Sequence, residues 1–192
     1  MADVALAIEM TPQDVYAELM DVRWGDEIEE TLARMLSSWS LGIGAMPAWL
    51  GLGENAFRQM LSLHFPGIDA GRFAGLGEHI DPERVDEMVD LNQLLHENLS
   101  GCKASERWMI DIVIAGCMGN DHLWQDLGLW ERADLSKLML DNFEPLAKRN
   151  DKDMKWKKFL YKQLCETEGI YTCRAPSCEV CLDYEKCFGP EE

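Results

Sequence analysis

The sequence predicts an all-α protein, a helical bundle that ends in an irregular, cysteine-rich metal-binding loop. Three observations carry that prediction. Apolar residues recur at helical spacing, with helix-start signals such as Thr11-Pro12 and Asp81-Pro82 ahead of them. No stretch alternates polar and apolar residues as a half-buried strand does. The last twenty residues hold four of the seven cysteines, Cys173, Cys178, Cys181 and Cys187, spaced C-x4-C-x2-C-x5-C.

Thr11 as N-cap, Pro12 at the first helical position and Asp14 in the first turn open a helix that reaches about Trp24, with Val15, Leu19 and Val22 on one side. A second helix is expected from about Asp26 to Ser38, with Ile28, Leu32, Met35 and Leu36 inward. Further on, Gly51-Leu-Gly53-Glu-Asn-Ala56 matches the G-x-G-x-x-A dinucleotide pattern. No strand precedes it and Pro47 sits where one should be, so it reads as a tight turn between helices. Glu54 to Leu63 forms a short helix closed by Phe65-Pro66-Gly67, and a glycine-rich loop follows through Gly77.

Asp81 and Pro82 start a helix to about Leu99, whose apolar stripe reads Val85, Met88, Val89, Asn92 (a polar break), Leu95 and Leu99. Its acids Glu83, Asp86, Glu87, Asp90 and Glu97 read as a solvated face. Ser105 caps the next helix, Trp108 to Gly116, apolar enough to be central and buried. Gly119 and Asn120 end it, and a new helix starts near Asp121, which gathers Cys117, Asp121 and His122 at one junction. Two readings stand there. One is a buried thiol, an N-cap carboxylate and a backbone-bonded histidine. The other is a junction that faces the C-terminal cysteines and supplies an extra ligand or a supporting donor.

Asp134 caps the following helix, with Leu135, Leu138, Met139 and Phe143 inward and Pro145 at its end. The last helix runs from Asp151 to Cys165 and ends at Gly169. From Lys148 to Lys162 the chain carries seven bases against two acids, an island of positive charge directly before the cysteines. Lys155, Lys158 and Lys162 are its candidate anion- or partner-facing residues. A solvated helix face explains them equally well.

The whole chain, 192 residues with 47% hydrophobic side chains, can bury a sizeable core. Residues 1–168 read as the helical body and 169–192 as a cluster-binding segment of the same structural unit. A formal charge of −17 excludes general binding to nucleic acid or an anionic membrane surface. An odd number of cysteines and an N-terminus without a signal-peptide pattern lead us to expect a cytoplasmic protein.

The tail is too short and too polar to make its own core, so a metal site is the best account of its shape. Zinc sites usually use two ligand pairs a dozen or more residues apart. Four thiolates within one short loop suit an iron–sulfur cluster better, and the first three reproduce the opening of the plant-type ferredoxin pattern. From spacing alone, iron–sulfur ranks first, zinc second, and disulfides or unliganded thiols third.

The tail resembles that of the NifQ family, the molybdenum-handling proteins of nitrogen fixation. So do Cys117-Met-Gly-Asn-Asp-His-Leu-Trp-Gln-Asp-Leu-Gly-Leu129, Met154-Lys-Trp-Lys-Lys-Phe-Leu-Tyr-Lys-Gln-Leu-Cys165 and Cys187-Phe-Gly-Pro-Glu-Glu192. More loosely, so does the Leu41–Gly53 region. The resemblance implies a carrier rather than an enzyme, holding a molybdenum-containing iron–sulfur cluster of the Mo–3Fe–4S type, with a 4Fe–4S precursor as a variant. It implies delivery of molybdenum for the iron–molybdenum cofactor of nitrogenase. The implied partners are the NifEN-type scaffold, the nitrogenase iron protein, and molybdate or another molybdenum donor. Cys173, Cys178, Cys181 and Cys187 would then be the metal ligands. His122, Cys117 and Cys165 are candidates to complete or guard the molybdenum corner. The alternatives are an iron–sulfur electron carrier and a zinc-stabilised interaction module.

Overall fold

The computed structural model describes residues 10–77, 85–101, 105–167, 184–189 and 191. Among them there is no strand, and no helix is long and apolar enough to cross a membrane.

Helix α1, Pro12–Asp21, begins as the sequence predicts. Thr11 Oγ1 accepts the Asp14 N–H at 3.3 Å, and the Asp14 carboxylate accepts the Thr11 N–H at 2.9 Å. These bonds hold the Asp14 carboxyl below its usual pKa. The helix stops at Asp21, short of Trp24. Helix α2, Ile28–Ser40, starts later than expected because the Asp26 carboxylate spends itself on the turn, accepting the Ile28 N–H at 3.1 Å. Glu29, fully buried, accepts the N–H groups of Gly25 and Asp26 at 2.7 and 3.0 Å. α1 and α2 pack along each other.

A short 3-10 turn, Ala48–Gly51, leads to helix α3, Glu54–His64. Gly51 and Gly53 take left-handed backbone angles (φ 81° and 76°), so the G-x-G-x-x-A stretch is a tight turn that leads into α3, as expected. A second 3-10 turn, Ala70–Phe73, lies inside the predicted glycine-rich loop. Trp39, Phe57 and Phe73 form an aromatic triad with ring centroids 5.5 to 5.7 Å apart. Burying each such ring contributes roughly 1.5–3 kcal/mol. With Leu32, Met35, Leu36, Met60 and Leu61 also buried around it, the body has an apolar interior.

Helix α4 is described over Val85–Glu97; its predicted start at Asp81-Pro82 lies outside the described residues. The predicted stripe needs correcting. Val89 is exposed and Asn92 faces solvent, while Leu91, Leu94 and Leu95 are buried. Leu91 and Leu95 are one helical turn apart, and Val89 lies about 200° around the axis from Leu91 at 100° per residue. Nor is the acid face wholly solvated, because Glu87 is half-buried and accepts the Tyr161 hydroxyl.

Helix α5, Glu106–Cys117, is central and apolar as predicted, with Met109, Ile112, Val113, Ala115 and Cys117 buried. Ser105 stands at its N-cap position, but its hydroxyl makes no capping bond; the Glu106 carboxylate instead accepts the Gly101 N–H at 2.9 Å. After a tight turn comes helix α6, Leu123–Asp126, and then helix α7, Arg132–Asn142. The N-caps of these two are His122 and Glu131, not Asp121 and Asp134. Asp134, the third residue of α7, accepts the N–H groups of Trp130 and Glu131, each at 3.2 Å, and pairs with Arg34. Arg34 also reaches Glu30 at 2.6 Å, which ties α2 to α7. Leu135, Leu138, Met139 and Phe143 are buried as expected, and Pro145 opens the one-turn helix α8, Glu144–Ala147.

Helix α9 runs Trp156–Thr167, five residues later than the predicted start. Asn150 explains the delay. Its side chain brackets Met154, accepting that N–H at 2.8 Å and donating to its carbonyl at 2.9 Å, while Asp153 sits at φ 55°. The inward face of α9 includes Trp156, Phe159 and Leu160. Gly169, its expected terminator, lies outside the described residues. The tail contributes one more element, helix α10, Tyr184–Phe188, so Cys187 is helical where irregular chain was expected.

Candidate metal centre

Cys117 ends α5, and its side chain is almost completely buried. The chain then turns through Gly119–Asp121, and His122 begins α6 with its backbone N–H donated to Gln125 Oε1 at 3.1 Å. The turn is fixed from inside. Asp126, buried, accepts the Asp121 N–H at 3.1 Å and pairs with Lys157 of α9, whose ammonium also donates to the Gly119 carbonyl at 2.8 Å. A side chain at Gly119 would overlap the Asp126 carboxylate, so only glycine lets the turn pass this close. Gly44, at φ 93°, braces α6 from its other side, and the Ala45 N–H donates to the Asp126 carbonyl at 2.9 Å.

Around this turn lies a cavity of about 540 Å³. The junction gives it Cys117, Asn120, Asp121 and His122. α9 and the residue before it give Lys155, Lys157, Lys158 and Tyr161, and the tail gives Lys186 and Glu191. Lys158 and Tyr161 are three residues apart and so share one face of α9. The tail reaches this place by specific contacts. The Lys155 N–H donates to the Cys187 carbonyl at 2.8 Å. The Glu191 carboxylate, whose side chain is 3% exposed, lies 3.8 Å from His122 Nδ1 and 3.4 Å from Arg132 Nε. Arg132 in turn pairs with Asp153 at 2.7 Å.

Of the candidates named from sequence, Cys117, His122, Lys155 and Lys158 line this one cavity, and Cys187 is tied to its edge through its backbone. Lys162 and Cys165 are not among the lining residues; Lys162 pairs instead with Glu166 at 3.5 Å. Cys173, Cys178 and Cys181 lie outside the described residues, and among the described ones no three His, Cys, Asp or Glu side chains form a metal-holding group. The sequence reading missed Lys186, Glu191, Arg132 and the supporting carboxylate Asp126. Nothing local marks Asp126, because its role depends on a partner thirty-one residues away. Lys186 and Glu191 could have been flagged by their nearness to Cys187.

The donor set suits an anionic, thiolate-ligated cargo in one respect. A cysteine-bearing segment returns to a cavity rimmed by lysines, and cations close to thiolates and sulfide favour their charged forms.

Fold and site together define a class: an all-α protein with a cationic inter-helix cavity, closed on one side by a cysteine-bearing C-terminal segment. The family model for NifQ matches residues 31–189. The chain is 43% identical to the NifQ protein of Azotobacter vinelandii over 83% of its own length and 87% of that protein's. With the Klebsiella pneumoniae NifQ protein it shares 44% identity over 82% and 96%. With the NifQ homologue of Sinorhizobium fredii it shares 35% over 84% and 70%. This chain belongs to the NifQ family, and so to the proteins of nitrogen fixation. No solved structure matches it.

Proposed function

We propose that this protein carries molybdenum within an iron–sulfur cluster of the Mo–3Fe–4S type and hands it over for assembly of the iron–molybdenum cofactor of nitrogenase. The cluster is cargo, loaded and released, and the protein is a carrier without a turnover substrate. Cys173, Cys178, Cys181 and Cys187 are its thiolate ligands. Cys117 and His122 stand at the exchangeable molybdenum corner, where a full protein cage would prevent release. The recipients are the NifEN-type scaffold and the nitrogenase iron protein, met in the cytoplasm.

Family membership and the cysteine spacing support the reading. The observation that carries it is the return of the tail: the Lys155–Cys187 backbone bond and the Glu191 contacts bring the end of the cysteine segment to the cavity lined by Cys117 and His122. Thiolate and sulfide are soft donors suited to iron and to molybdenum in its sulfur-bound forms.

The test is anaerobic purification from cells supplied with iron and molybdenum, followed by metal analysis and electron paramagnetic resonance. We expect a brown protein containing both metals, and loss of both in Cys178→Ala and Cys181→Ala. A colourless protein containing zinc, or one with iron but no molybdenum that fails to support cofactor assembly, overturns the reading.

A further inference from the structure

Between Met35 and Gly53 the chain carries no charged residue, although 28% of the whole sequence is charged and the net charge is −17. Within that span residues 41–45, Leu-Gly-Ile-Gly-Ala, are all exposed, with Leu41 39% and Ile43 49% open to solvent. We propose that this turn is a docking knob for the protein that receives the cargo, a partner whose matching surface is an uncharged apolar pocket. The partner's identity rests on the carrier reading; the surface is argued from the turn itself.

The turn is tied down. It follows α2 directly, and the N–H groups of Leu41 and Ile43 both donate to the Ser38 carbonyl at 3.0 Å. The Gly42 N–H donates to the Trp39 carbonyl at 3.0 Å, and the Ala45 N–H is held by Asp126 of α6. Gly42 and Gly44 sit at φ 74° and 93°, angles that a side chain would strain. Held this way, the backbone has no slack with which to turn Leu41 and Ile43 inward. An ordered turn that already presents its aliphatic groups loses little freedom on binding.

Charge, size and position select the occupant. Two copies of a chain carrying −17 repel each other everywhere outside so small a neutral tip. A standard stable interface uses about 20–30 residues a side. Five exposed residues therefore suit a brief encounter with a different protein, which is what hand-over requires. Position adds the functional link. Gly44 lies so close to the Gln125 and Asp126 carbonyls that a Cβ there would come within 3.1 and 2.9 Å of them. Gln125 also lines the cavity to whose edge Cys187 is tied. Knob and cavity thus share α6, and a helix is only about 10 Å wide. A protein seated on Leu41 and Ile43 has the cysteine end within reach.

The test uses full-length, metal-free protein and a purified NifEN-type scaffold, with binding followed by biolayer interferometry. Ile43→Asp should weaken binding at least about tenfold and Leu41→Asp several-fold, because each puts a charge into an apolar contact. Val89→Asp, at a 61% exposed aliphatic on α4, should bind as the unsubstituted protein does. Raising salt from about 50 to 500 mM should leave the affinity within about twofold, since no ion pair is screened. Unchanged binding by Ile43→Asp, or binding that disappears as salt rises, overturns the proposal in favour of a charged face. Self-association that Ile43→Asp abolishes overturns it in favour of a second copy, and absence of scaffold binding overturns it outright. Metal analysis keeps the two readings apart. Ile43-dependent binding by a protein that never holds iron or molybdenum leaves this surface standing and the carrier reading fallen. A loaded protein whose scaffold binding ignores Ile43 does the reverse.

Discussion

Lys157 of α9 and Asp126 of α6 form an ion pair in which the carboxylate side chain is 2% exposed and the lysine 18%. The pair joins the helix before the tail to the turn that carries His122, and each member has a second duty. Asp126 accepts the Asp121 N–H, and Lys157 donates to the Gly119 carbonyl.

Removing one partner leaves the other charge buried without compensation. Lys157→Met or Asp126→Asn should each destabilise the protein by about 3 kcal/mol. The double variant should lose clearly less than the sum, with a coupling of about 1–3 kcal/mol. Urea denaturation of the four proteins measures this, and simple additivity would show that the pair does not act as a unit.

Gly119→Ala places a methyl group against the Asp126 carboxylate. Relief requires the turn to move away from α9, so we expect a loss of about 1–3 kcal/mol, as for overpacking elsewhere. The amide of Asp121 should also exchange faster with solvent. An alanine variant with unchanged stability and unchanged exchange would mean that the turn accommodates the group without opening.

The thiols and the imidazole should separate by metal. Cys187→Ala should lower iron and molybdenum together, whereas His122→Ala should keep most iron and lose mainly molybdenum. Metal analysis of anaerobically prepared variants decides this. A His122→Ala protein that retains and delivers full molybdenum removes His122 from the exchangeable corner.

Asp111, on α5, stays exposed to solvent, yet partial desolvation raises its carboxyl pKa. A carboxyl that binds its proton more tightly when folded makes stability fall as pH rises from the usual carboxylate range through the raised value, then level off. Asp111→Asn should therefore raise the melting temperature at neutral pH, with the gain vanishing in acid where the native carboxyl is protonated. A gain that does not depend on pH would point to packing and not to charge.

Helix identity was legible from the sequence because apolar residues recur at helical period over α1, α2, α3 and α5, with a proline-marked start at α1. Helix starts were less so, and for one recurring reason. Side chains of Asp26 and Asn150 satisfy backbone groups ahead of the helix, giving turns where an apolar period alone would extend it. Asp134 looked like a cap because an acid before an apolar run usually is one, yet it is the third residue of the helix, bonded back to Trp130 and Glu131. At the site, the motif around Cys117 and His122 and the lysine island were both visible. That Lys158 lines the cavity while Lys162 does not follows from a turn of about 100° per residue, and where that face points is decided by tertiary packing. Asp126 and Glu191 were hidden, since their significance lies in partners far along the chain or across the cavity.

The ring triad of Trp39, Phe57 and Phe73 draws on a span that ends well before the first cavity residue. The aromatic packing of that half is therefore drawn from residues that do not line the cavity. On the proposed carrier function, a docking protein would meet the same packed shoulder with or without cargo, and would read the cargo from the cysteine end alone.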